Sequence, residues 1–229
     1  MGNIFLASDH HFNDINALNY RDRPFDSLDE MNHFMVDNWN KYIKSDDTVY
    51  HLGDFAVKDE DLSKFSSMLN GKILLLMGNH DCKRDYSLLN SCFDTVYNDP
   101  FELEFDKKYD IYNEGNKIWL CHYPVQRNVD LYTATGHIHD LWKISKNMVN
   151  IGVDAWHFRP VSLEKVIECR HSENLGRWDA NVYPDADIAW KWAVSNKIER
   201  EKSGNEPTLD IIAKELYESK NKYYNQPLT

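Results

Sequence analysis

Ile73-Leu74-Leu75-Leu76-Met77-Gly78-Asn79-His80-Asp81 is an unbroken apolar run that stops at a polar quartet rich in metal-ligand side chains. The apolar part has the length of a strand and no polar position, so it predicts a strand buried on both faces. The quartet would then sit beyond the end of that strand, where layered α/β sheets bind their ligands. The same arrangement recurs along the first 150 residues. Ile4-Phe5-Leu6-Ala7 leads to Asp9-His10-His11, and Thr48 to Leu52 leads to Gly53-Asp54. A later strand ends on His122, and Thr133-Ala134-Thr135 leads to Gly136-His137-Ile138-His139.

Helical patterns separate the early strands. Ser27-Leu28-Asp29-Glu30 reads as a capping box, and Met31, Phe34, Met35, Trp39 and Tyr42 recur at helical spacing after it, predicting a helix to about residue 44. Leu62, Phe65 and Leu69 share one face of a shorter helix over 59–70, which Gly71 closes. Phe101-Glu102-Leu103-Glu104-Phe105 alternates strictly, and residues 109–122 contain a turn at Glu114-Gly115-Asn116, so this part reads as hairpins. A strand over 148–153 and a helix capped by Ser162 and running towards Arg170 follow. The fold class expected is α/β, with two packed mixed β-sheets flanked by helices.

Beyond Arg170 the pattern changes. Residues 171–229 hold no strand-like run but two helical stretches, 185–197 and 208–224, separated by Gly204-Asn205-Glu206-Pro207. The expected division is a domain over 1–170 and a helical extension over 171–229. Trp178, Tyr183, Trp190, Trp192, Tyr217, Tyr223 and Tyr224 are expected to pack the extension onto the domain, ahead of a substrate lid or a dimer interface.

The chain has 229 residues, 42% hydrophobic and 28% charged, enough for one substantial core. Its net charge of -11 argues against non-specific nucleic-acid binding through phosphate neutralisation, because no basic stripe is present. Cys82, Cys92, Cys121 and Cys169 form no C-x-x-C pair, and no segment has the length of a membrane span. A cytoplasmic protein without a membrane partner is expected; the N-terminal apolar run is too short for a signal peptide.

Singly, each polar cluster has an ordinary reading. Asp-x-His serves as a cap, Gly-Asp as a turn, Asn-His-Asp as a polar loop, and His-x-His as two surface histidines. The weight lies in finding all of them in order, each after a predicted strand. In that order the sequence resembles the calcineurin-like metallophosphoesterases, whose pattern is D-x-H, G-D, G-N-H-D/E, H and G-H-x-H. The segments around the pattern resemble a compact bacterial and bacteriophage branch: Arg23-Pro24-Phe25, His51-Leu52-Gly53-Asp54-Phe55, and Asn150-Ile151-Gly152-Val153-Asp154 with Arg159-Pro160-Val161-Ser162-Leu163 after it. The resemblance covers about residues 3–168, and for a phage-encoded protein it would mean the host cytoplasm.

The resemblance implies an α/β/β/α sandwich holding two divalent metal ions. Asp9, His11 and His139 would hold one and Asn79, His122 and His137 the other, with Asp54 bridging them as the anion that offsets their repulsion. A hydroxide between the metals would attack phosphorus, and His80 would protonate the leaving oxygen. Carboxylate, amide and imidazole donors suit manganese foremost, then iron, zinc or nickel. Asp81 would orient His80 or cap the next helix. Gly53-Asp54-Phe55-Ala56-Val57 lacks the Asp-Arg-Gly extension of the Ser/Thr protein phosphatases in the superfamily. His11-Phe12-Asn13-Asp14 lacks a further histidine often found in the compact branch. Arg23, Arg127, Arg159 and His157 stand near predicted rim loops as candidate substrate contacts.

The activity expected is hydrolysis of phosphate esters, with a phosphodiester, including a nucleotide or cyclic nucleotide, ahead of a phosphomonoester or phosphoprotein. A non-catalytic binding module of the same fold is the alternative from another class. It would have lost ligands or His80, and every expected position is filled.

Overall fold

The apolar run at 73–77 is buried on both faces because it lies in the middle of a sandwich. The computed structural model describes residues 2–20 and 23–174. Strands β1 (Ile4–Ala7), β2 (Thr48–His51), β3 (Lys72–Leu76) and β4 (Thr95–Tyr97) run parallel, and β10 (Val161–Ser162) pairs antiparallel with β1, in the order β10-β1-β2-β3-β4. A second sheet has the order β5-β6-β7-β9-β8, from β5 (Phe101–Glu104), β6 (Lys117–Cys121), β7 (Thr133–Thr135), β8 (Ile144–Ser145) and β9 (Met148–Asn150). Both sheets are mixed, as expected.

Neighbouring side chains on a strand point to opposite faces. Ala7, Val49, Ile73 and Leu75 therefore join Met31, Met35, Trp39, Leu62, Phe65 and Leu89 on the helical side. Leu6, Leu52 and Leu76 instead meet Leu103, Ile118, Leu120, Ala134, Val149 and Ile151 between the sheets. Each Val, Leu or Ile among them contributes roughly 1.5–3 kcal/mol when fully buried. The helices over the first sheet are α2 (Leu28–Tyr42), α3 (Asp59–Ser66) and α4 (Tyr86–Cys92), preceded by the short α1 (Ile15–Tyr20). Helix α5 (Leu163–Asn174) inserts Leu163, Val166 and Ile167 into the inter-sheet cluster.

Ser27 caps α2 by accepting from the Glu30 amide at 3.2 Å. Glu30 returns its carboxylate to the amide of Asp26 and not to Ser27, so the box is offset by one residue. The later strands depart from the hairpin expectation. Within the second sheet only β5–β6 and β8–β9 are antiparallel, while β6, β7 and β9 run parallel. Residues 105–116 form a loop with a 3-10 turn at Lys107–Tyr109 instead of strand. Parallel neighbours need crossovers, usually helical, and here the β6–β7 crossover holds only a 3-10 turn and the β7–β9 crossover only the short β8, so no helical period can be read. The expected boundary at residue 170 falls inside α5, and the expected helices 185–197 and 208–224, with their tryptophans, lie outside the described residues.

Candidate metal centre

The strands bring the predicted side chains to one rim. β1 delivers Asp9 and His11, β2 delivers Asp54, β3 delivers Asn79 and His80, β6 delivers His122, and β7 delivers His137 and His139. The loops are stitched together by backbone bonds: Asp9 N to Gly53 O at 3.0 Å, His11 N to Asp54 O at 3.0 Å, and Gly136 N to His122 O at 3.0 Å. Across the two sheets, the His137 amide donates to Asp9 Oδ2 at 2.9 Å.

Among the described residues, three groups place ligand atoms within 4.8 Å of one another: Asp9, His11 and His139; His11, Asp54 and His80; and Asp54, His122 and His137. Asp54 belongs to two of them. Its Oδ2 lies 3.6 Å from His11 Nε2 and 3.6 Å from His122 Nε2, midway between the two histidine sets. Asn79 Oδ1 stands 3.1 Å from His122 Nε2 and 3.0 Å from His137 Nδ1. The His122 Nδ1 contacts the Leu52 carbonyl at 2.6 Å and the His139 Nδ1 contacts Asp154 Oδ2 at 2.8 Å. Donation there leaves the Nε2 lone pair of each ring for the cluster.

The local backbone is built for crowding. Asp9, His11, Asp54, His137 and His139 all adopt positive φ, between 50° and 71°, a conformation that side chains disfavour and that collects at functional sites. Gly53 has φ +97°, and a Cβ there would lie 2.5 Å from Gly78 N. A Cβ on Gly78 would collide with Asp54 Oδ1. Neither glycine can carry a side chain while the loops converge.

Burial, with Asp81 and Asp9 nearby, pushes the Asp54 carboxyl well above the usual carboxylate range. Burial also pushes His11 down to about 4. Asp9 Oδ1 and His11 Nε2 are buried with no hydrogen-bond partner among the described residues. Buried polar atoms ordinarily have partners, and these two face a set of imidazoles and carboxylates. A cation would satisfy them and offset the carboxylate repulsion, so the donor set fits a divalent metal centre.

His80 is half-buried at the edge of the cluster, its ring edge-on to His11 at 5.0 Å and its amide donating to Asp54 Oδ1 at 2.9 Å. Asp81 does not cap the next helix, whose N-cap is Asp85. The fully buried Oδ2 of Asp81 accepts from the amides of Asp54 at 2.6 Å and Gly78 at 3.0 Å, clamping two ligand loops together. Asp14 Oδ2 lies 3.3 Å from His11 Nδ1.

The expected substrate contacts fare differently. Arg23 is turned into the interior, where Asp154 and the carbonyls of Asp9 and His10 take up its guanidinium. Arg23-Pro24-Phe25 reads as an exposed loop, and nothing local signals the distant carboxylate. His157 is exposed, takes a left-handed conformation, and offers its carbonyl to Asn38 on α2; it belongs to none of the three groups. Arg159 lies over the Tyr42 ring, 5.0 Å from its centroid. Arg127 closes the 3-10 turn Pro124–Gln126 that follows His122.

Sequence reasoning gave no role to His10, His51 or Asp154. His10 Nδ1 lies 2.9 Å from His51 Nε2 in a pocket of aromatic rings behind the ligands. Both sit beside quoted motif residues, which was the available signal.

Comparison with known proteins agrees with this geometry. An uncharacterized protein of Methanocaldococcus jannaschii is 30% identical over 183 residues, covering 73% of this chain and 91% of that one. The crystal structure of a protein of unknown function from Aquifex aeolicus is similar in fold, with a TM-score of 0.58 at 24% identity, over 73% of this chain and 99% of that one. The family model for calcineurin-like phosphoesterases matches residues 2–201, past the expected boundary at 170. The chain belongs to the calcineurin-like phosphoesterase family and is a metal-dependent hydrolase of phosphate esters.

Proposed function

We propose that the protein is a phosphodiesterase working with two divalent cations, manganese foremost. Asp9, His11 and His139 would hold one and Asn79, His122 and His137 the other, with Asp54 shared. The observation that carries this reading is the position of Asp54 Oδ2, 3.6 Å from a nitrogen of each histidine set. When bound, such cations supply Lewis acidity at the phosphoryl oxygens and make a water nucleophilic near neutral pH.

The chain's own residues do the remainder. Asp54, fixed through the His80 amide, keeps the two ligand sets at one spacing. Asp81 keeps the Asp54 and Gly78 loops in register. His80, half-exposed at the edge of the cluster, is placed to give a proton to the departing ester oxygen.

A diester carries one negative charge where a monoester carries nearly two. Arg23 is committed to Asp154, and Arg84 to Asp59 and Asp81. That supports a singly charged substrate such as a nucleotide diester or cyclic nucleotide. Cys82, Cys92, Cys121 and Cys169 are all free thiols, which fits a reducing cytoplasm. No helix among the described residues is long and apolar enough to cross a membrane.

The test is turnover by manganese-loaded protein of matched bis- and mono-nitrophenyl phosphates, cyclic nucleotides and a phosphopeptide. Diester turnover should exceed monoester turnover by at least about tenfold in kcat/KM, that is, about 1.4 kcal/mol. A preference for the monoester or phosphopeptide overturns the diesterase reading.

A further inference from the structure

We propose that Asp154 and Arg23 are positioning residues for His139, and that their ion pair selectively strengthens metal binding at the Asp9–His11–His139 cluster. The inference rests on the two-metal reading above. Asp154 Oδ2 lies 2.8 Å from His139 Nδ1. The same carboxylate is gripped in fork geometry by Arg23, Nε to Oδ1 at 2.7 Å and Nη2 to Oδ2 at 3.0 Å. Arg23 then reaches on to the ligand loop, donating to Asp9 O and His10 O at 2.8 Å each. One guanidinium thus ties together the loop that carries Asp9 and His11 and the carboxylate that holds His139. The pair is sealed from water, the Arg23 side chain being fully buried and that of Asp154 only 5% exposed.

The segment bearing Asp154 is held in place with unusual care. A 3-10 turn, Val153–Trp156, presents the carboxylate, and His157 and Phe158 follow with φ of 56° each. Non-glycine residues disfavour that conformation, and two in succession persist only where their surroundings impose it. The Asn38 amide does so from α2, donating to His157 O at 2.8 Å and Phe158 O at 2.9 Å. Phe158 in turn lies 5.6 Å beneath the Arg23 guanidinium.

In the other ligand set the comparable contact is that of His122. His122 uses its Nδ1 in the same way, but against the neutral carbonyl of Leu52. A carboxylate partner fixes the ring tautomer and raises the basicity of the opposite nitrogen more than a carbonyl does, and losing such a partner typically costs 10–100-fold in metal affinity. The ion pair therefore acts on the site that His139 serves.

The test is calorimetric titration of the metal-free protein with manganese(II). Wild type should take up two equivalents. Asp154→Asn should weaken binding of one of them by roughly 10–100-fold and leave the other within about twofold. Because Asp154→Asn strands the Arg23 charge, the doubly substituted Arg23→Met/Asp154→Asn protein, which is neutral at the pair, should give the same selective loss. Wild-type affinity at both sites in either variant, or equal weakening of both, overturns the proposal. Fewer than two equivalents in wild type would overturn the two-metal reading itself and this inference with it. Long-range nitrogen–proton spectra of histidine-labelled wild type provide a test that needs no variant. His139 should be protonated on Nδ1 in the metal-free protein, and protonation on Nε2 instead would sink the idea.

Discussion

Replacing Asp81 separates a clamp on the loops from a partner for His80. Its carboxylate is fully buried, and Oδ2 accepts from the amides of Asp54 and Gly78. Oδ1 also receives Arg84 at 3.3 Å, but Arg84 keeps Asp59, His80 O and Ala56 O without it. Asp81→Ala would leave two buried N–H groups with no acceptor, at about 1–3 kcal/mol each, or about 2–6 kcal/mol in all. Asp81→Asn removes the same charge beside Asp54 but can still place an amide oxygen where Oδ2 was. The difference between the two variants therefore reports the lost hydrogen bonds. Against a domain stability of about 5–15 kcal/mol, the alanine variant should be marginal. Urea unfolding with a chelator present, followed by circular dichroism, measures this free of metal linkage. If the alanine and asparagine variants agree within about 0.5 kcal/mol, Asp81 is not the clamp.

Two further outcomes are expected. His80→Ala should cost ~10²-fold or more in kcat on an alkyl ester and much less on a nitrophenyl ester, whose leaving oxygen hardly needs a proton; equal losses would reassign His80 to positioning. Acid should destabilise the metal-free protein through His10, which burial pushes from 6.5 down to about 3. The native state keeps His10 neutral while the unfolded chain is protonated below pH 6.5, so stability falls as pH drops from 6.5 towards 3. Across that window wild type should lose up to about 1.4 kcal/mol per pH unit more than His10→Gln, and parallel slopes in urea titrations at successive pH values would contradict this.

The site was legible in the sequence because its residues are tethered to strand ends. Apolar runs such as Ile4-Phe5-Leu6-Ala7 and Ile73-Leu74-Leu75-Leu76 announce strands, and the residues just beyond them have almost no freedom to be elsewhere than the rim. The structure accordingly brings Asp9, His11, Asp54, His122, His137 and His139 together. What escaped was non-local. Arg23 reads as an exposed loop residue until its partner, Asp154, is placed beside it by folding, 131 positions away in the chain. Asp81 looks local, but its carboxylate also accepts from the Asp54 amide on another loop. Helices α1 and α4 are too short for a periodic pattern, and α4 owes its start to the Asp85 side chain capping Ser87. The parallel order of β6, β7 and β9 was missed because loops, not helices, make the crossovers.

The most direct test of the central claim is metal content by elemental analysis of wild type and Asp54→Asn, each loaded with manganese(II) and desalted. Asp54 Oδ2 stands 3.6 Å from a nitrogen of each histidine set, so it alone is placed to offset the repulsion between two cations. Wild type should retain two ions per chain, and Asp54→Asn should retain one or fewer and lose turnover. Full retention of both ions in Asp54→Asn would contradict the shared-carboxylate account.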